Sequence, residues 1–262
     1  MAVLLENAGA NWTASSVGLQ IPFAANCLGW FNPCAAGMVS GSSLLVRDYS
    51  PLNRPATLVA APTINAGYIS FGEPAGGQTC QTQILDAGGD FTIISAARSS
   101  DNQATNSTTS FFVTNYGTDS GDLITGSKGV SIAAANAAQM QGTDYWNNSG
   151  AATVTHANIT ETAGFIANFR MYALTRATVG GVTTRTLYDL TGNTSAVAPI
   201  TAAPVPNLSN AWKIGGSVGV TNGGQADHAH DSFFNRAMTL QQLMTLFRPM
   251  ILANLATRGL TA

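Results

Sequence analysis

Short runs of aromatic and β-branched residues, each cut off by Gly, Asn, Asp, Ser or Pro, recur along almost the whole chain. Such runs are too short for helices and read as many strands joined by tight turns. Tyr68-Ile69-Ser70-Phe71 closes on Gly72, and Phe91-Thr92-Ile93-Ile94-Ser95 follows the turn Gly88-Gly89-Asp90. Ser110 to Tyr116 closes on Gly117. Phe165 to Ala177, the Gly180-Gly181 pair and Val182 to Tyr188 have the form of a long β-hairpin. In its first arm Phe169, Met171, Ala173 and Thr175 alternate with Arg170, Tyr172, Leu174 and Arg176, so that strand has two distinct faces. Thr191 to Pro206, with three prolines and a Gly192-Asn193 turn, reads as a loop.

One segment departs from this texture. Leu240, Leu243, Met244, Phe247 and Ile251 recur at helical spacing, and Thr239 with Gln242 has the form of a capping box. Pro249 should end or kink that helix and open a second short one, Pro249 to Thr257, stopped by Gly259. The expectation is a single all-β domain over residues 1–262. It divides into an N-terminal arm (1–20), a β-sandwich (21–238), and a closing helix and tail (239–262).

Charge narrows the functional classes. Only 9% of the 262 residues are charged, against a usual value of about 25%. Lysine occurs only at Lys128 and Lys213, and glutamate only at Glu6, Glu73 and Glu161. Solubility must therefore come from Ser, Thr, Asn, Gln and Gly. A formal net charge of −2 supplies no field to gather phosphates, which argues against nucleic acid as a partner. No apolar run approaches the ~18 residues needed to cross a bilayer, so no membrane insertion is expected. Met1 to Ala10 lacks the basic and long apolar regions of a secretion signal, and the chain is expected to be made in a reducing cytoplasm. Cys27, Cys34 and Cys80 are an odd number with no Cys-x-x-Cys pair, and free buried thiols are expected.

Two stretches go beyond fold class. Ser43 to Leu58, with Asp48, Ser50 and Asn53, precedes the strand Tyr68 to Phe71. Trp212-Lys213-Ile214-Gly215-Gly216 is followed by Asp231-Ser232-Phe233-Phe234-Asn235-Arg236-Ala237-Met238-Thr239 and the helical run to Phe247. The first resembles the early Asp-x-Ser stretch of concanavalin A-like, laminin-G-like jelly rolls, and the second resembles that family's closing signature. Phe91 to Arg98 is similar to its central strand. The resemblance implies a jelly-roll sandwich of two antiparallel sheets, with a last strand turning out to lay a helix over a sandwich edge.

The fold serves lectins, hydrolases, adhesion modules and virion proteins, so function rests on individual residues. Glycoside hydrolysis needs two carboxylates facing each other across a sheet. The three glutamates are isolated, so no catalytic residue and no enzymatic activity is expected. Asp227-His228-Ala229-His230-Asp231 is the densest cluster of potential metal ligands. On a regular strand His228 and His230 would share one face and Asp227 and Asp231 the other. No third ligand is visible, so the two histidines are weak metal candidates and no cofactor is expected. Calcium, which the resemblance makes conceivable, could draw on Asp119 and Asp122. Tyr145-Trp146-Asn147-Asn148 lies in a polar, glycine-flanked segment, where an exposed ring could stack on a sugar face. The apolar termini and helix nominate Met1, Val3, Leu4, Leu5, Leu243, Phe247 and Ile251 as contacts to other chains.

Low charge, scarce lysine, no secretion signal and a lectin-like jelly roll are similar in style to virion structural proteins of tailed bacteriophages. The expected partners are other virion proteins and further copies in a homo-oligomer, a trimer in the first instance. A host surface glycan is the expected ligand; a free carbohydrate-binding lectin is the alternative, with a glycoside hydrolase ranked below it. The expected location is the virion, after assembly in the host cytoplasm.

Overall fold

The computed structural model describes residues 20–72, 77–99, 110–118, 127–136, 138–148, 151–161, 167–200, 203–215 and 225–262. The strands, in chain order, begin with β1 (Cys27–Phe31), β2 (Leu45–Val46), β3 (Ala56–Val59), β4 (Thr63–Ile64), β5 (Ile69–Phe71) and β6 (Thr79–Gln81). They continue with β7 (Phe91–Arg98), β8 (Ser110–Thr114), β9 (Gly117–Thr118), β10 (Ser127–Lys128), β11 (Val130–Asn136) and β12 (Gln139–Asn148). The last six are β13 (Ala151–Thr160), β14 (Arg170–Val179), β15 (Val182–Asp189), β16 (Thr194–Ile200), β17 (Lys213–Ile214) and β18 (Ala226–Phe234).

Sixteen of them form two antiparallel sheets, the jelly-roll sandwich that the motifs imply, and β9 and β10 pair separately as a two-stranded ladder. Sheet I runs β16-β15-β14-β7-β18-β5-β4, with β1 also paired to β18. Sheet II runs β13-β12-β11-β8-β17-β6-β3-β2. Between the sheets lies one core, which includes Phe31, Phe71, Phe112, Leu174, Trp212 and Phe233. Each such side chain contributes about 1.5–3 kcal/mol on burial.

The central strands of sheet I are buried on both faces. Ile93 and Ala97 of β7 point into the inter-sheet core, whereas Ile94 and Ala96 point the other way into a second core. That second core joins Trp30, Met171, Ala173 and Phe234 to Leu243, Phe247, Ile251 and Leu255. The closing helix therefore lies over the outer face of sheet I, not over an edge as expected. The spacing of its four buried residues puts them on one stripe, which seals against the sheet.

The Thr239 side chain accepts from the Gln242 backbone, and the Gln242 side chain accepts from the Thr239 N–H, so the capping box is present. Pro249 does not break the helix. A short α1 (Leu240–Gln242) widens into a π turn over Leu243–Phe247 and resumes as α2 (Arg248–Ala256), with the proline in the first turn. Proline lacks an N–H there, where none is needed.

The glycine hairpin is β14–β15, with Gly180 and Gly181 at φ 59° and 79°. These values suit a two-residue primed turn. The segment 191–206 differs from expectation, because it holds strand β16. Asn193 turns the chain at φ 55°, and β16 pairs along β15 from Asp189↔Thr194 to Thr183↔Ile200. Pro199 is tolerated because β16 is the edge strand of sheet I.

Asp48 of the early motif ties its own segment together. Its carboxylate accepts from the N–H groups of Trp30, Ser50 and Arg54 and from the Ser50 hydroxyl, at 2.8–2.9 Å. Cys27, Cys34 and Cys80 are free and buried, and burial pushes the Cys27 thiol up to about 12.

Candidate functional site

The inter-sheet face of β14 carries charge at both ends. Near its C-terminal end Arg176 is fully buried and grips Asp86 with two bonds, Nη2 to Oδ1 at 2.5 Å and Nη1 to Oδ2 at 3.1 Å. Its Nε donates to the Gly89 carbonyl at 2.9 Å, and its guanidinium lies 4.5 Å from the Phe91 ring centroid. Asp144 of β12 sits between Arg176 at 3.4 Å and Arg185 at 3.7 Å. Burial pushes the Asp144 carboxyl up to about 6, against the pull of both guanidiniums. At the opposite end Arg170 pairs with the buried Asp189 and, at 3.4 Å, with Glu161. Burial, then a hydrogen bond with Asp189, pushes the Glu161 carboxyl up to about 7. All four carboxylates are held by arginines.

The Asp227–Asp231 cluster is rearranged by a β-bulge. The register of β18 against β7 shifts between His228 and His230. His228 consequently points into the inter-sheet core, its ring 5.5 Å from Phe71 and 5.8 Å from Phe112. Its Nδ1 meets Asp231 at 3.1 Å, and Asp231 also accepts from the Ser95 hydroxyl at 2.7 Å. His230 points the other way, 4.4 Å from the Trp30 ring, with its two nitrogens near Asn32 and Ser232. Asp227 leaves the cluster to pair with Arg98 at 2.7 Å. The expected sharing of one face by His228 and His230 is thus corrected, because an extra residue in a strand inverts the alternation beyond it. Divided by a sheet, the two imidazoles do not converge on one ion. Asp119 and Asp122 lie outside the described residues.

The helix covers the central strands of sheet I on their outer face, and the outer face of sheet II carries a row of polar side chains. Cross-strand register lines up His156, Thr143, Ser131, Thr114, Lys213, Gln81 and Thr57 in one rung. Their chain neighbours Ala157, Ile132, Val113, Ile214, Cys80 and Leu58 fill the inter-sheet core, which fixes this rung on the outside. At about 4.8 Å per strand the rung is about 29 Å long. A second rung carries Asn158, Gln141, Ala133 and Phe111.

Side chains bridge along these rungs. Gln141 Nε2 donates to Asn158 Oδ1 at 3.2 Å, and Thr143 Oγ1 lies 3.1 Å from His156 Nδ1. Gln81, Thr57, His156 and Asn158 are exposed, Lys213, Gln141 and Phe111 half-buried, and Thr114, Ser131 and Thr143 buried. Neither rung contains a carboxylate. Hydroxyls, amides and an imidazole in a row can exchange hydrogen bonds with a polyhydroxylated chain.

Tyr145 borders this face. Its ring lies 5.6 Å from that of Tyr116, and its carbonyl accepts from Val205 N–H at 3.0 Å. Burial, helped by Tyr116, pushes its phenol up. Trp146, Asn147 and Asn148 are strand residues of β12, opposite Thr153, Ala152 and Ala151, and their side chains lie outside what the structure describes. Met1, Val3, Leu4 and Leu5 also lie outside the described residues. Leu243, Phe247 and Ile251, nominated as contacts to other chains, are instead fully buried against the chain's own sheet I. Sequence reasoning missed the rung residues, since pairing between distant strands is what aligns them.

No protein-family model matches the sequence, and none of the curated proteins matches it. Solved structures do. The receptor binding domain of botulinum neurotoxin D aligns with a TM-score of 0.61 at 9% identity, over 87% of this chain and 54% of that one. The fold is a β-sandwich of that kind. The binding domain of botulinum neurotoxin DC in complex with SialylT gives 0.62 at 11% identity, over 87% and 52%. A Trypanosoma rangeli sialidase gives 0.55 at 16% identity, over 87% of this chain and 33% of that one. The chain spans about half the length of the toxin domains it matches. At these identities the likeness is one of fold.

Proposed function

We propose that this chain is a binding sandwich whose outer sheet II face takes a glycan, and that it works as a structural and adhesive component of a tailed-bacteriophage particle. The observation that carries the glycan reading is the polar rung from His156 to Thr57 on the sheet face away from the helix. Recognition there would proceed by hydrogen bonding to sugar hydroxyls from Gln141, Asn158, Thr57 and Gln81, with the Tyr145 and Phe111 rings available for stacking. The toxin binding domain solved with SialylT lends support at the level of fold. A catalytic role is not proposed, since Asp86, Asp144, Asp189 and Glu161 are each engaged by an arginine.

The virion reading draws on composition. A surface solvated by Ser, Thr, Asn, Gln and Gly, with 9% charge, suits a particle exterior. The proposed partners are other virion proteins and further copies in a symmetric oligomer.

The test is a glycan array probed with the full chain, alongside the Gln141→Ala/Asn158→Ala double variant. Binding to a defined glycan set that falls at least tenfold in the variant supports the reading. Binding to no glycan, or binding indifferent to the two substitutions, overturns it. Immunogold labelling of intact particles tests the virion placement, and unlabelled particles would refute it.

A further inference from the structure

The eleven Lys and Arg residues all lie among the described residues; Lys128 is fully buried, Arg248 begins α2 on the sheet I side of the molecule, and the other nine sort by their partners. Arg98, Arg170, Arg176 and Arg185 have carboxylate partners. Arg54 and Arg258 donate to backbone carbonyls. Arg47 and Arg236 lie over the rings of Tyr49 and Phe23. Lys213 is different. It stands on the long rung of sheet II between Thr114 and Gln81, and its two chain neighbours, Trp212 and Ile214, anchor it from the inter-sheet core.

No carboxylate shares this face among the described residues, and Lys213 has no ion pair, hydrogen bond or ring contact there. It is half-buried, and burial alone lowers its pKa. A partly dehydrated ammonium flanked by neutral hydroxyl and amide groups is stabilised by an anion that comes to it. His156, the other titratable group on the rung, is held toward its neutral form by partial desolvation of its ring and by the charge of Arg185. The positive charge of the face is therefore concentrated at Lys213.

We propose that Lys213 is the charge-reading residue of the sheet II face, and that the glycan taken there is an acidic saccharide whose anionic group docks on its ammonium. This rests on the glycan reading above and adds the substrate class. Neutral side chains on either side would bind the flanking sugar hydroxyls, while Lys213 selects for the anion.

The experiment is calorimetric titration of the full chain with three probes: an oligouronate, dextran sulfate, and neutral dextran oligomers. The expected result is at least tenfold tighter binding of an anionic probe than of dextran, with the gap closing as salt is added. Comparing oligouronate with dextran sulfate tells carboxylate from sulfate as the anion. Lys213→Gln should abolish the gap, and Lys213→Arg should retain it. Lys213→Met keeps the aliphatic stem and serves if the glutamine variant melts early. Equal binding of all three probes, or a gap that survives both Lys213→Gln and Lys213→Met, overturns the proposal and leaves the glycan reading standing. Binding of none of the probes, together with a blank glycan array, overturns both.

Discussion

Arg176 and Asp86, 90 positions apart in the chain, meet as a two-bond ion pair with no solvent access to the guanidinium. The pair fastens the turn before β7 to the hairpin β14–β15, and Asp144 extends it to sheet II. Buried pairs add little over an apolar equivalent, but removing one partner strands the others. Arg176→Met leaves Asp86 and Asp144 short of a counter-charge. It is expected to cost about 3–5 kcal/mol, measured by denaturant unfolding of the variant against the parent chain.

His230 should govern acid sensitivity. Burial lowers its pKa from 6.5 to about 3, so the folded chain keeps it neutral while the unfolded chain protonates. The folded state then binds fewer protons between those values, and stability falls as pH drops from about 6.5 to 3. His230→Gln can still bond Asn32 and Ser232 but cannot titrate. Its unfolding free energy should decline less over that window, and an unchanged slope would refute the assignment.

Glu161 acts with the opposite sign. Its pKa rises from 4.5 to about 7, in contact with Arg170 and Asp189 and with Tyr172 close by. The folded chain holds the extra proton, so this contribution is complete below pH 4.5 and disappears as pH rises through 7. Glu161→Gln should flatten that decline, read from thermal melts at half-unit pH steps.

Phe247 anchors the helix. It lies 5.2 Å from the Phe234 ring and 6.2 Å from that of Phe23. Phe247→Ala should cost about 3–5 kcal/mol, and Thr239→Ala, which loses the cap, about 1 kcal/mol. Chemical denaturation distinguishes the two, and near-equal losses would contradict the packing described.

Much of this fold was legible because its signals are local. The Gly180-Gly181 turn, the alternation of β14, and the Thr239–Gln242 cap each depend on residues within one element. The failures are equally physical. Strand β16 was hidden because prolines normally exclude a strand, and only its edge position admits Pro199. The bulge in β18 depends on the facing strand β7, so the sequence Asp-His-Ala-His-Asp could not reveal which histidine joins Asp231. The rung through Lys213 unites residues from seven strands, and nothing local marks them as neighbours.

Pro199 has one more consequence. It lies on the rim strand of sheet I and has no N–H to offer, so a foreign strand arriving there meets a missing rung in the ladder it would have to continue. Fibril-like stacking of one molecule onto the next is discouraged along that rim.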